Sequence, residues 1–235
     1  MTVAELSLEI AQASRILALH GILDAFGHVS CRDPRNDACF LMSRSLAPKL
    51  VTPDDIVSID LEGEAPDRPD TQLFIERYIH AEIYRARPDV RAIVHSHAAA
   101  VLPFTVAKSS RVSPLCHVCG FLSGIPETYD IADHFGPATD LLIRDPGKGR
   151  SLAAHLGGAN VIMMRGHGFT AVGGSVPQAT FRTFYTNRNC EIQLMAQHLG
   201  AMNALSDAEA AACELAVNGQ INRAWSLWVS DLAGD

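Results

Sequence analysis

The feature that most constrains this chain is a pair of histidines at the end of a short apolar run. Val90-Arg91-Ala92-Ile93-Val94-His95-Ser96-His97 reads as a buried strand entered through Pro88-Asp89. Successive side chains on a strand leave opposite faces, so His95 and His97, two apart, project together. Seventy residues further on, a second apolar run ends in Met163-Met164-Arg165-Gly166-His167-Gly168, with a histidine between two glycines that would let another ligand approach closely. Three neutral imidazoles leave open positions on a divalent ion, which is what a catalytic metal needs. A fold carrying this pattern must bring two sequence-distant strand ends to one place.

The flanking pattern predicts helices and strands in mixed order. Leu6 to Ala25 carries Ile10, Ala13, Leu17 and Leu23 at near-helical spacing, with Gly27 as its stop. Two strands follow, 26–32 and 39–42, around a turn at 34–37. Thr52-Pro53-Asp54-Asp55 has a helix-start signature and 56–61 alternates as a strand. A helix is predicted from Gln72 to Ala86, stopped by Pro88, with Ile75, Ile79 and Ile83 on one face and His80 on it as a partner of site groups. Residues 114–148, with four prolines, predict irregular structure that shapes a site. Strands at 161–164 and 169–172, a long helix from Ser175 to about Leu199, and helices over 206–217 and 221–232 complete the chain. No repeat or linker divides it, so residues 1–235 are read as one domain.

Several functions are disfavoured. A net charge of -7 argues against nucleic acid as a partner, because no basic stripe exists to replace phosphate counterions. No apolar run approaches the roughly 18 residues of a membrane span, nor does the N-terminus read as a signal peptide, so the expectation is a cytoplasmic protein with no membrane partner. The six cysteines then read as reduced thiols, and the isolated Cys116-x-x-Cys119 lacks the second pair a structural zinc site requires. No Gly-x-Gly-x-x-Gly follows the first strand, which argues against a dinucleotide fold.

The segment from Phe26 to Asp33, the acid at Glu76, Arg87-Pro88-Asp89-Val90 leading into His95-Ser96-His97, and Arg165-Gly166-His167-Gly168 together resemble the class II aldolase/adducin family, over about residues 6–200. That resemblance implies a three-layer α/β/α sandwich with a mainly antiparallel central sheet, and a homo-oligomer, a tetramer, with sites at subunit interfaces. It further implies one divalent metal per subunit held by His95, His97 and His167, with Glu76 as ligand or acid/base. Imidazole and carboxylate ligands suit manganese or zinc, and iron or cobalt as well.

The chain departs from the sugar-phosphate aldolases of that family in its polar groups. Gly27-His28 stands where they carry Gly-Asn, Phe74-Ile75 where they carry two serines, and Ser43-Arg44 where they carry a Thr-Gly phosphate loop. Phosphate-reading donors are thus replaced by an imidazole and a guanidinium, and arginine suits bidentate capture of a carboxylate. The segments 24–30, 94–97 and 222–228 look more like the family's decarboxylases of hydroxylated aromatic or pyridine dicarboxylates. The resemblance therefore implies a catabolic carbon–carbon lyase acting on a small aromatic carboxylate through a metal-stabilised enolate or phenolate. Glu76, His28 and Arg44 are the candidate catalytic residues, with Glu76 or His28 as proton donor. Arg44, Ser43, His117 and Tyr185 are the candidates for substrate binding. The alternatives are an aldolase on a sugar phosphate or hydroxy acid, and an adducin-like interaction domain, against which the three histidines count.

Overall fold

The computed structural model describes residues 1–232. Helix α1 (Val3–Leu19) is capped by a reciprocal Thr2–Glu5 box and stops well before Ala25, because Gly21 takes a left-handed φ of 66° and Ile22 and Leu23 turn their amides back onto the Leu17 carbonyl. The predicted stop at Gly27 is therefore corrected to Gly21, and the freed segment 20–27 becomes one rim of a cleft.

Six strands form one sheet in the order β3-β2-β1-β4-β6-β5. They are β1 (His28–Arg32), β2 (Cys39–Ser43), β3 (Ile56–Asp60), β4 (Ala92–Ser96), β5 (Val161–Met164) and β6 (Gly168–Gly173). All named pairs are antiparallel. The proposed helix start at Thr52 is a single tight turn, Pro53–Asp55, that hands the chain directly to β3; its Thr52–Asp55 cap forms as the sequence suggests. Helix α2 (Arg77–Ala86) begins five residues later than the spacing predicts, which puts Glu76 at its N-terminal boundary and outside the helix.

The remaining helices are α3 (Leu102–Val106), α4 (Ile131–Phe135), α5 (Pro146–Leu156), α6 (Val176–Gln197), α7 (Asp207–Asn218) and α8 (Ile221–Asp231). Alternation along β4 separates two cores: Ala92 and Val94 pack with α1 and α6 residues such as Ile16 and Ala179, while Ile93 packs with α2 and α5 residues such as Ile79, Tyr84 and Leu152. The result is a helix–sheet–helix sandwich on an antiparallel sheet. No helix among the described residues is long and apolar enough to cross a membrane.

The strand order is what positions the histidines. β1 starts, β4 ends and β6 starts at the same edge of the sheet, with His28 opposite His95 and Ser96 opposite Phe169. The β5–β6 hairpin closes through Arg165-Gly166-His167, where Gly166 supplies a left-handed φ of 61°. Gly168 is fixed by space: a Cβ there would lie 2.1 Å from the Ser96 carbonyl oxygen. Gly168→Ala is expected to push β6 from β4 at a cost of about 1–3 kcal/mol, read as a lower urea midpoint, and to displace His167 from its neighbours.

Candidate metal centre

Glu76, His95, His97 and His167 meet at one point. The Nε2 atoms of the three histidines lie 2.9 Å (His95–His97), 3.0 Å (His97–His167) and 3.2 Å (His95–His167) apart. A carboxylate oxygen of Glu76 stands 3.1 Å from His167 Nε2 and 3.8 Å from His95 Nε2. Nitrogens bound at about 2.1 Å to a shared ion stand about 3.0–3.4 Å apart for bond angles between a right angle and tetrahedral, so these spacings suit a ligand set.

The tautomers suit it too. His167 Nδ1 lies 2.9 Å from the Leu141 carbonyl, which can only accept, so Nδ1 carries the hydrogen and Nε2 the lone pair. His95 Nδ1 lies 3.1 Å from Thr170 Oγ1, whose own hydroxyl is turned to the Met164 sulfur, and the same assignment follows. Burial pushes the pKa values of His95 and His97 below the usual imidazole range, keeping the neutral, ligating form. At His167 burial acts the same way, but the hydrogen bond and charge of Glu76, with help from the Leu141 carbonyl, outweigh it and raise the pKa. An environment that strengthens the hold of an imidazole on a proton favours any cation placed there.

The groups that orient this centre lie in the stretch whose irregular structure the sequence suggests. Ile143 N–H donates to Glu76 Oε1 at 2.9 Å. Leu141, the one non-glycine residue with positive φ among the described residues, at 67°, aims its carbonyl at His167. That conformation costs energy and is held by side-chain turns, with Thr139 Oγ1 accepting from Leu141 N–H and Asp140 Oδ1 from Leu142 N–H. A Thr-Asp pair is a turn signal that could have flagged this loop; nothing local in the sequence says it would reach Glu76.

Beside the cluster opens a cleft of about 340 Å³, lined by Ala25, Phe26, Gly27, His28, Ser45, Leu46, Ala47, Phe74, Ile75, Glu76, His97 and Leu142. Its walls are mostly apolar, and the Phe74 ring lies 4.7 Å from that of His28. The other sequence candidates are not brought here within one chain. Arg44 is half-exposed, with Nε held 2.8 Å from Asp55 Oδ1, and Ser43 is buried in β2; the cleft takes Ser45 to Ala47 from that segment instead. The physical reason is the turn after β2, which pairs Arg44 with Asp55 through both backbone and side chain. His117 and Tyr185 line a separate cleft with Trp228 and Arg223. Cys116 and Cys119 stand with sulfurs 3.0 Å apart, and no further ligand group joins them among the described residues.

Residues 8–194 match the family model described as the class II aldolase and adducin N-terminal domain. A decarboxylase, TropJ, of Talaromyces stipitatus is 36% identical over 240 residues, covering 92% of this chain and 90% of that protein. Decarboxylase NovR of Streptomyces niveus is 28% identical, covering 74% of this chain and 62% of its own length. Among solved structures, an aldolase II superfamily protein from Pseudomonas syringae superposes with a TM-score of 0.80 at 24% identity, covering 97% of this chain and 92% of that one.

Proposed function

The chain belongs to the class II aldolase and adducin family and is a carbon–carbon lyase, and we propose that it is a divalent-metal-dependent decarboxylase of a hydroxylated aromatic or heteroaromatic dicarboxylate in a catabolic pathway. The observation that carries this reading is the convergence of three imidazoles and a carboxylate at the wall of a largely apolar cleft. The likeness to TropJ and NovR, both decarboxylases, supports it. His95, His97 and His167 would hold the ion, with Glu76 at its edge. A divalent cation there supplies an electrophile for the electron pair left when a carbon–carbon bond breaks.

The protein's own groups supply the rest. Phe74 and Phe26 offer apolar surface to a ring, with Phe26 also near the His97 ring at 6.4 Å. Carbon dioxide departs with the carboxylate's bond broken at the ring carbon, and that carbon takes a proton from Glu76 or His28. Leu46, Ala47, Ile75 and Leu142 add apolar lining to the cleft in which the bond breaks. Arg44 would hold a substrate carboxylate only by exchanging it for Asp55, and Ser43 only after a shift of β2. His117 and Tyr185 would contribute across a subunit boundary, which is the homotetramer reading, and we take the chain as one cytoplasmic domain of such an assembly.

The test is carbon dioxide release from ortho-hydroxylated aromatic and pyridine dicarboxylates, with protein reconstituted with manganese, zinc, iron or cobalt. Release that a chelator stops and the ion restores is the expected result. Silence across the panel with metal demonstrably bound would overturn the decarboxylase reading and favour cleavage or formation of an aldol from an aldehyde with dihydroxyacetone or pyruvate.

A further inference from the structure

Behind the cleft runs a buried chain of hydrogen bonds that begins at His28. His28 and Ser30 are two apart on β1 and face α2, where His80 and Tyr84 are four apart and face the strand, so the four side chains interleave. His28 Nδ1 lies 2.7 Å from His80 Nε2, His80 Nδ1 lies 2.6 Å from Ser30 Oγ, and Ser30 Oγ lies 2.8 Å from the Tyr84 hydroxyl. All four are buried.

The direction of the chain is decided at its far end. Among the described residues the Tyr84 hydroxyl has one partner, Ser30. If Ser30 donated to Tyr84, the phenolic hydrogen would be buried without an acceptor, a costly arrangement. With Tyr84 donating, every hydrogen finds an acceptor: Ser30 donates to His80 Nδ1, and His80 Nε2–H donates to His28 Nδ1. Burial supports this at both ends, holding the Tyr84 phenol well above its usual pKa and pushing His80 down to about 3, so the phenol keeps its proton and His80 has a single ring hydrogen to place. His28 Nδ1 must then accept, leaving the hydrogen on Nε2, the nitrogen without a protein partner among the described residues, on a ring that lines the cleft.

We propose that Tyr84, Ser30 and His80 are positioning residues that fix His28 as a neutral Nε2–H donor aimed into the cleft, where it binds an oxygen of the substrate. Two consequences follow. His28 is no metal ligand, because its cleft-facing nitrogen carries no free lone pair. Nor is it the proton source, since a neutral imidazole gives a hydrogen bond but not its hydrogen at ordinary pH, and the proton for the carbon falls to Glu76. The substrate class narrows to molecules with a carboxylate, phenolate or carbonyl oxygen opposite His28; outside the metal cluster, His28 and Ser45 are the uncharged side-chain donors lining the cleft, and no lysine or arginine lines it.

The role at the substrate rests on the decarboxylase reading, whereas the proton arrangement does not. Long-range proton–nitrogen-15 spectra of the histidine-labelled, zinc-loaded full chain read it directly, with His28 and His80 signals identified by their loss in His28→Gln and His80→Gln. The expected wild-type pattern is hydrogen on Nε2 and a bare Nδ1 at both rings. Hydrogen on His28 Nδ1, alone or as imidazolium, would overturn the inference whatever the enzyme turns over. In Tyr84→Phe the two His28 nitrogen signals are expected to move toward each other as the ring samples both tautomers. On whichever panel compound is turned over, KM should rise about five- to tenfold with kcat changed less than twofold. Unmoved signals in that variant would remove Tyr84 from the chain. Lost thermal stability with unmoved signals and KM would reduce it to a packing residue.

Discussion

His97→Ala is expected to lower turnover by on the order of a thousandfold or more, with metal content falling from about one ion per chain toward none. The magnitude follows from the several kcal/mol that an electrophilic metal contributes to a developing negative charge. His97 is the informative histidine to remove. His95 is wholly buried and bonded to Thr170, and His167 is tied to the Leu141 carbonyl, so truncating either also leaves a buried polar partner unpaired. His97 lies just past the end of β4, is partly exposed, and bonds only to the other two histidines among the described residues. The metal-free variant should therefore melt within a few degrees of the metal-free wild type, so that lost activity is separable from lost fold. Elemental analysis after dialysis, with turnover on the same sample, decides the matter. Full occupancy with full turnover in His97→Ala would remove His97 from the ligand set.

Much of this arrangement is legible in the chain because it depends on short periodicities. The two-residue spacing of His95 and His97 on a β-branched run and the Gly-His-Gly at the next hairpin are local signals. The antiparallel register that places Ser96 opposite Phe169 converts them into a cluster. The capped start of α6, with Ser175 accepting from Gln178 N–H, is equally local and forms where Ser175-Val176-Pro177 suggests. What the sequence does not disclose depends on long-range closure. The loop at Leu141 to Ile143 supports Glu76 and His167 from a segment that reads only as irregular. Arg44 reads as an anion-binding residue by its type and position, but its partner, Asp55, lies across a turn whose shape spacing does not specify. The end of α1 is misplaced for a related reason. Ile22 and Leu23 continue the apolar spacing while being buried by a turn, and a helical period cannot tell burial in a turn from burial on a helix face.

Glu76→Gln is expected to lower kcat by about a hundredfold or more while the protein keeps its ion. The substitution is shaped to test proton transfer. Glu76 Oε1 accepts from Ile143 N–H, a bond that a glutamine oxygen can keep, so the side chain should hold its place at the boundary of α2. What is lost is the carboxyl's capacity to carry a proton to the substrate carbon, and the negative charge beside His167 Nε2. Two roles compete for this carboxylate, and the variant separates them. An acid/base residue gives low kcat with metal content unchanged. A fourth ligand gives low occupancy, with turnover largely restored by excess ion. Retained turnover at full occupancy would exclude both and move the proton source elsewhere. The position of Glu76 suits either role: its Oε2 stands 3.1 Å from one ligand nitrogen and 3.8 Å from another while the residue also lines the cleft, within reach of both ion and substrate. A carboxylate so placed can pass to the ring carbon only a proton it has first taken up. Its proton must then arrive with the substrate, and an ortho hydroxyl that ionises on binding would supply one.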